Sequence, residues 1–144
     1  FFLCCVFHCY TDYKEMLLYD EVTMSLLTVG IVRAFAEQGL LSGLLGAGIT
    51  GGVFLLLYYV SKGGMGFGDV KLALALGVWL GWERGLISLL VALWLGFLFG
   101  VILLIVGEKK RTDAIAFGPY ICIAGFMMLL KGDIILSWYK SLFY

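Results

Sequence analysis

Two long stretches without a charged side chain constrain the fold of this chain more than any other feature. Residues 39–60 and 86–107 contain no Asp, Glu, Lys or Arg, and a helix needs only ~20 apolar residues to cross a bilayer. The 144-residue chain is 62% hydrophobic and 14% charged, with a mean hydropathy of +1.04. That is more apolar surface than a small soluble domain can bury. We therefore predict a protein embedded in the lipid bilayer.

The remaining apolar segments predict an all-α, polytopic architecture in a single membrane-embedded domain over residues 1–144. We expect about six transmembrane helices, near residues 1–10, 22–36, 39–60, 69–82, 86–107 and 114–130. The first segment has about half the apolar length that a span requires and no initial methionine, so we expect a truncated N-terminus. Small residues at four-residue spacing predict close packing of the third helix on a neighbour: Gly39, Gly43, Ala47 and Gly51.

The charged, cysteine and histidine residues exclude several classes of function. Ten basic residues balance ten acidic ones, which gives no electrostatic basis for binding nucleic acid. The four cysteines form no C-x-x-C pair, so neither a zinc site nor another metal site is expected. The one histidine, His8, lies between Phe7 and Cys9 and is interpreted as a packed or interfacial residue and not as a metal ligand. We expect no cofactor.

The basic residues indicate the orientation in the membrane, because cytoplasmic loops carry more Lys and Arg. Loops near residues 11–23, 61–71 and 107–113 carry six basic residues, and the alternate connections carry four. We therefore expect the first set of loops to face the cytoplasm. The six are Lys14, Lys62, Lys71, Lys109, Lys110 and Arg111, and the four are Arg33, Arg84, Lys131 and Lys140.

Two acids are predicted to meet at the cytoplasmic face. Asp12 closes the first apolar segment and Asp69 opens the fourth, and two crossings between them return the chain to the same side. Two carboxyl groups a few ångströms apart share a proton. One can then activate a water for attack on a peptide carbonyl while the other protonates the leaving group. Such a pair would be an aspartic protease site that still reaches water.

Alternative interpretations of these residues remain open. Asp69 is also a plausible helix N-cap, Asp12 an ordinary acid in a polar loop over residues 11–21, and the nearby glycines a mobile loop. The acids could instead bind an ion or a proton in a non-enzymatic transporter or filament-assembly component. Transport would require a carboxylate near the middle of the bilayer, whereas both acids are predicted at helix ends.

Three segments resemble the type IV prepilin peptidases, which are membrane aspartic proteases of the G-x-G-D type. "GMGFGDVKLALALGVWLGW", from residue 64, resembles the second catalytic motif of that family. "YTDYKEMLLYDEVT", from residue 10, resembles the first motif, and "FGPYICIAGF", from residue 117, resembles a later F-G-P segment. The three matches occur in the expected order over nearly the whole chain.

The resemblance implies that Asp12 and Asp69 are the catalytic pair. It also implies substrates: prepilins or pseudopilins with a short basic leader before a hydrophobic helix, cut at the cytoplasmic face of the plasma membrane. Related proteases that act on archaeal filament subunits or signal peptides share the G-x-G-D motif and remain an alternative. Four residues are expected to support the pair or admit the substrate: Gly66 and Gly68, whose missing Cβ atoms permit unusual dihedral angles, Lys71 and Asp20.

The sequence departs from the family pattern in two respects. Tyr19 and Ala116 stand where the family usually has proline, which predicts less rigid turns. Nothing in these residues matches the paired C-x-x-C region associated with N-methylation in many bacterial members. We therefore assign no methyltransferase activity to this sequence.

Overall fold

A computed structural model describes residues 1–15, 19–61, 64–106 and 117–143. The described residues form helices and their connections, without a strand, which confirms the all-α prediction. The predicted charged loop at 108–113, the predicted cytoplasmic Lys62 and the Pro-to-Ala position at Ala116 lie outside these residues. The helices are α1 (Phe2–Glu15), α2 (Asp20–Arg33), a π-helical turn (Ala34–Gln38), α3 (Leu40–Ser61), α4 (Phe67–Val106) and α5 (Gly118–Phe143).

The first part of α4 is the central helix of the fold. It contributes more buried apolar side chains than any other helix. Helices α2, α3 and α5 all pack on α4, whereas α1 packs chiefly on α5. Its buried residues include Val70, Leu72, Ala73, Ala75, Leu76 and Trp79. The helices that carry the two predicted acids, α1 and α4, are therefore joined mainly through α5.

Both long helices contain a kink near the boundary of a predicted segment. Gly81 interrupts α4 with φ 73° and ψ 179°, a conformation that glycine adopts at little steric cost. Lys131 interrupts α5 with φ −125° and ψ 17°. Segments 69–82 and 86–107, predicted as two helices, are thus one helix with a kink at Gly81. The segment predicted to end at residue 130 continues as a helix beyond Lys131.

The predicted number of membrane spans is not confirmed. Within the described residues, three helices are long and apolar enough to cross a membrane: Leu40–Ser61, Phe67–Leu103 and Gly118–Ser141. Helices α1 and α2 have 14 residues each. Large apolar side chains on several helices face outward, such as Val32, Leu56, Phe97 and Ile105. An outer surface of this kind suits lipid and not water, so the chain is a membrane protein.

Small residues join α3 to α4, and three of the four predicted positions take part. Gly43, Ala47 and Gly51 are buried on the α4 side, whereas Gly39 is exposed and has no neighbour near its Cβ position. The closest approach involves two glycines that the prediction missed. A Cβ on Gly77 would lie 2.6 Å from the Gly46 carbonyl carbon, so the two backbones are in direct contact.

The polar segment after residue 10 was predicted to be a loop, but it begins as buried helix. Helix α1 continues to Glu15, and both Thr11 and Asp12 are buried. The Thr11 hydroxyl donates to the carbonyl of Phe7 at 3.1 Å, and Asp12 receives a backbone hydrogen bond from α5. These bonds satisfy the polar groups and so allow the helix to continue through them.

Candidate active site

Asp12 lies in the last turn of α1 and is held by the first residue of α5. Asp12 is only 4% exposed. Its Oδ2 accepts a hydrogen bond of 2.9 Å from the Gly118 backbone N–H. A hydrogen bond from an N–H to a carboxylate is stronger than one between neutral groups. The N-terminus of α5 therefore provides a specific anchor for this acid.

Gly118 is a glycine because Asp12 occupies the space of a side chain. A Cβ at this position would overlap Asp12 Oδ2 and lie 3.0 Å from the Asp12 Cγ. Pro119 follows in the first turn of α5, where its missing N–H leaves no helical hydrogen bond unmade. The glycine permits the contact and the proline favours the start of the helix at this point.

Asp69 is the third residue of α4 and is even more deeply buried, at 2% exposure. Its carboxyl lies within electrostatic reach of Asp12 and of the backbone N–H groups of Phe117 and Gly118. Its Oδ1 has no hydrogen-bond partner within the described part of the chain. A buried carboxyl oxygen without a partner is rare in folded proteins and calls for a functional explanation.

The structure thus brings the two predicted acids together at the start of α5. Helices α4 and α5 both begin there, and the partial positive charge of a helix N-terminus favours nearby carboxylates. Asp69 is not the N-cap of α4, because the helix begins two residues earlier, at Phe67. Unlike the prediction of acids in contact with water, both residues are nearly inaccessible in this conformation.

The predicted support residues divide into two groups. Lys71 and Asp20 form an ion pair, with Nζ 2.7 Å from Oδ2, in which the side chains are 39% and 63% exposed. This pair ties the start of α2 to α4 beside Asp69. Gly66 is exposed and Gly68 half-buried at the start of α4.

The backbone conformations of Gly66 and Gly68 differ from the prediction of unusual dihedral angles. Gly39 and Gly81 are the described glycines with positive φ, so neither Gly66 nor Gly68 uses the left-handed region. A Cβ added at Gly66 would have Asp69 Oδ2 as its nearest neighbour, at 3.8 Å. Gly66 therefore lies directly beside the carboxyl of Asp69, which is itself buried.

Tyr19, at the position where proline was expected, retains the backbone that proline would impose. Its φ is −72° and ψ is 116°, and proline restricts φ to about −65°. Its ring lies against Phe7, with 5.7 Å between ring centroids. The backbone at Tyr19 is thus one that proline could also adopt.

Sequence reasoning missed the roles of Phe117 and Gly118. The F-G-P segment was used only as a mark of resemblance, whereas the structure places it against both acids. The Phe117 ring packs on Gly96 of α4, where a Cβ would lie 2.9 Å from its Cδ1. A G-P pair opening an apolar helix signals a helix start, but nothing in the sequence indicates which acid it contacts.

An apolar cavity of about 470 Å³ adjoins this segment. It runs between the end of α3 and the second half of α4, and Phe117, the neighbour of Gly118, forms part of its wall. Its walls include Leu57, Met65, Gly96, Phe97, Gly100 and Phe117. A cavity with such walls can accept aliphatic groups but offers almost no hydrogen bonds.

Comparison with known proteins identifies relatives across most of the chain. The model of the Type IV leader peptidase family matches residues 1–105. Proteins named "Prepilin leader peptidase/N-methyltransferase" are similar to it in Aeromonas salmonicida (38% identical over 139 residues, 92% of this chain and 48% of the relative) and in Legionella pneumophila (36% over 138 residues, 90% and 48%). A protein of the same name in Pseudomonas aeruginosa is 35% identical over 129 residues, 85% of this chain and 44% of the relative.

The chain spans about half the length of the curated relatives that it matches. No solved structure matches it. The family match covers α1 to α4 almost completely, including both acids and the glycines before Asp69. The chain therefore belongs to the Type IV leader peptidase family.

Proposed function

We propose that this chain is a membrane aspartic endopeptidase that removes the leader peptide from type IV prepilins or pseudopilins. Asp12 and Asp69 are the catalytic pair in this proposal. The observation that carries it is the convergence of two buried carboxyls, 57 positions apart in the chain, on one helix start that contacts both.

The chemistry follows from two carboxyls that share a proton. One carboxylate takes a proton from water as the water attacks the scissile carbonyl, and the other, protonated, gives its proton to the carbonyl oxygen or the leaving amine. General acid–base assistance of this kind contributes about 10²- to 10⁴-fold. A third protein group is not required as nucleophile, so Asp12 and Asp69 suffice for hydrolysis.

The position of the acids within their helices favours hydrolysis over ion transport. Asp12 is three residues from the end of α1 and Asp69 is two residues from the start of α4. Carboxylates at helix ends can meet a peptide at the membrane surface, whereas an ion pathway needs polar groups near the bilayer centre. We place the acids at the cytoplasmic face of the plasma membrane, with about six spanning segments once α4 is divided at Gly81.

The apolar cavity supports a substrate with a hydrophobic segment beside the scissile bond. It adjoins Phe117, whose neighbour Gly118 contacts Asp12. Apolar side chains of the substrate would enter the cavity, whose lining residue Met65 directly precedes Gly66, and in this proposal the polar leader lies toward the exposed Asp20–Lys71 pair. Asp20 and Lys71 are then support residues at the entrance, and Lys71 does not enter the proton transfer.

Replacement of each acid by its isosteric amide tests the proposal. In Asp12→Asn and Asp69→Asn the side-chain volume is kept but proton exchange is lost, so cleavage of a purified prepilin in membranes should fall by at least about 10²-fold. Mass spectrometry of the products locates the scissile bond.

Asp133→Asn is the matched control, since Asp133 pairs with Arg84 far along the chain from either acid and its side chain is 85% exposed. It should cleave like the unaltered protein. Full activity in Asp69→Asn, with the protein present and folded in the membrane, would refute the assignment of the pair.

A further inference from the structure

His8 is the most completely buried polar residue on α1, and the proposed chemistry gives it no part. Its exposure is 0%, and its Nε2 lies 3.1 Å from the Thr23 hydroxyl oxygen of α2. Cys5, His8 and Asp12 are buried at positions that follow one face of the helix. The sequence interpretation of His8 as a packing residue accounts for its burial but not for this bond.

The His8–Thr23 contact fixes the imidazole ring whichever group donates. The single proton of the Thr23 hydroxyl has two acceptors within hydrogen-bond distance, His8 Nε2 at 3.1 Å and the Tyr19 carbonyl oxygen at 3.3 Å. When the hydroxyl donates to Tyr19 it accepts from the Nε2–H of His8, and when it donates to His8 the imidazole proton lies on Nδ1. His8 Nδ1 has no hydrogen-bond partner in the described residues, so Thr23 is the partner that orients the ring.

We propose that His8 is a positioning residue for Asp12, and that its hydrogen bond to Thr23 sets the rotation of α1 about its own axis. This inference rests on the proposed function. Helix α1 packs chiefly on α5 and makes only a small contact with α2, and the His8–Thr23 bond adds a directional link on the α2 side. Asp12 follows His8 by one helical turn and takes part in the same rotation.

The required precision can be worked out from helix geometry. A group at the outer radius of a helix, about 5 Å from the axis, moves by about 1 Å when the helix turns by about 10°. A displacement of about 1 Å in a catalytic group can reduce the rate by about 10²-fold. Loss of the His8–Thr23 bond should therefore act on the chemical step more than on substrate binding.

The test compares paired substitutions on both sides of the bond, in the full chain in membranes with a purified prepilin. His8→Leu and Thr23→Val remove the bond, and each should lower kcat about 10-fold or more while KM stays within about twofold. His8→Gln keeps a donor and Thr23→Ser keeps the hydroxyl, so both should recover most of kcat. The double variant should be no slower than the slower single one, because both remove the same bond.

Thr28→Val is the control for Thr23→Val. Its hydroxyl donates to the Met24 carbonyl of the same helix at 2.8 Å and is exposed, so kcat should not change. The inference is overturned if Thr23→Val leaves kcat per folded molecule unchanged, if Thr23→Ser is as slow as Thr23→Val, or if the two losses of kcat multiply in the double variant.

The experiments distinguish a failure of the proposed role of His8 from a failure of the proposed function. If His8→Leu does not fold, the Thr23 variants alone decide by the same criteria. If Asp69→Asn remains active, the proposed function has failed, whereas an inactive Asp69→Asn together with a fully active Thr23→Val contradicts only the role of His8.

Discussion

Replacement of Gly118 by alanine tests the geometry of the site directly. The added Cβ would lie 3.0 Å from Asp12 Cγ and 3.2 Å from Asp12 Cβ, and would overlap Oδ2. Because carbon atoms pack at about 3.5–4.0 Å, either Asp12 or the start of α5 must move by about 0.5–1 Å. The atoms concerned are a short side chain and a helix terminus, so the strain cannot be relieved by a flexible end group.

The expected loss of activity follows from the hydrogen bond and the packing that this movement disrupts. The hydrogen bond from the Gly118 N–H to Asp12 is of the charge-assisted kind, worth about 1.5–3 kcal/mol, and the overlap itself costs about 1–3 kcal/mol. A shift approaching 1 Å between reacting groups costs up to about 10²-fold in rate. We therefore expect kcat of Gly118→Ala to fall by about 10- to 100-fold.

The assay measures prepilin cleavage in membranes at saturating substrate, normalised to folded protein. Gly52→Ala is the control, because Gly52 lies in α3 and a Cβ there meets nothing within 4 Å. Its kcat should equal that of the unaltered protein. If Gly118→Ala were as active as Gly52→Ala, the contact between α5 and Asp12 would not determine the catalytic geometry, and the reasoning would fail.

Two further substitutions separate stability from chemistry. Gly77→Ala places a Cβ within 2.6 Å of the Gly46 carbonyl carbon, which should lower the free energy of unfolding by about 1–3 kcal/mol. The effect should be measured as a lower unfolding temperature in detergent. Gly48→Ala is the control, because a Cβ there has no neighbour within 4 Å, and its unfolding temperature should not fall. Lys71→Met removes a largely exposed ion pair with Asp20, which is worth about 0.2–1 kcal/mol. It should change kcat/KM less than about tenfold, and a loss as large as that of Asp69→Asn would place Lys71 in the chemistry.

The meeting of the two acids was predicted from hydropathy, because apolar runs show where helices end and two crossings would return the chain to one face. Asp12 and Asp69 do lie together in the structure, at the start of α5. Of the two helices between them, α3 is long and apolar enough to span a membrane, so the two crossings themselves stay a prediction. Hydropathy could not show that α1 continues past Asp12. Charged residues near a helix end lower the hydropathy and so predict a loop, even where hydrogen-bond partners allow the helix to continue.

The contacts that hold the acids could not be predicted from a single sequence. Gly118 interacts through its backbone N–H and its missing Cβ, and neither property distinguishes it from the other glycines. His8 was judged by its apolar neighbours in sequence, although its partner Thr23 lies on another helix. Of the predicted stripe, Gly43, Ala47 and Gly51 do face α4, because helical spacing determines a face, whereas Gly39 does not. The partner glycine, Gly77, follows only from how two helices cross.

The arrangement implies that α5 determines the separation of the two acids. Helix α1 packs chiefly on α5, and α5 packs on α4, where Gly125 lies against Leu76. Displacement of α5 would therefore move Asp12 with it, both through packing and through the Gly118 N–H, while Asp69 stays with α4. Because carboxyls can share a proton only over a few ångströms, a displacement of Phe117 from the side of the apolar cavity would, under the proposed function, change the rate of proton transfer through the neighbouring Gly118 and its contact with Asp12.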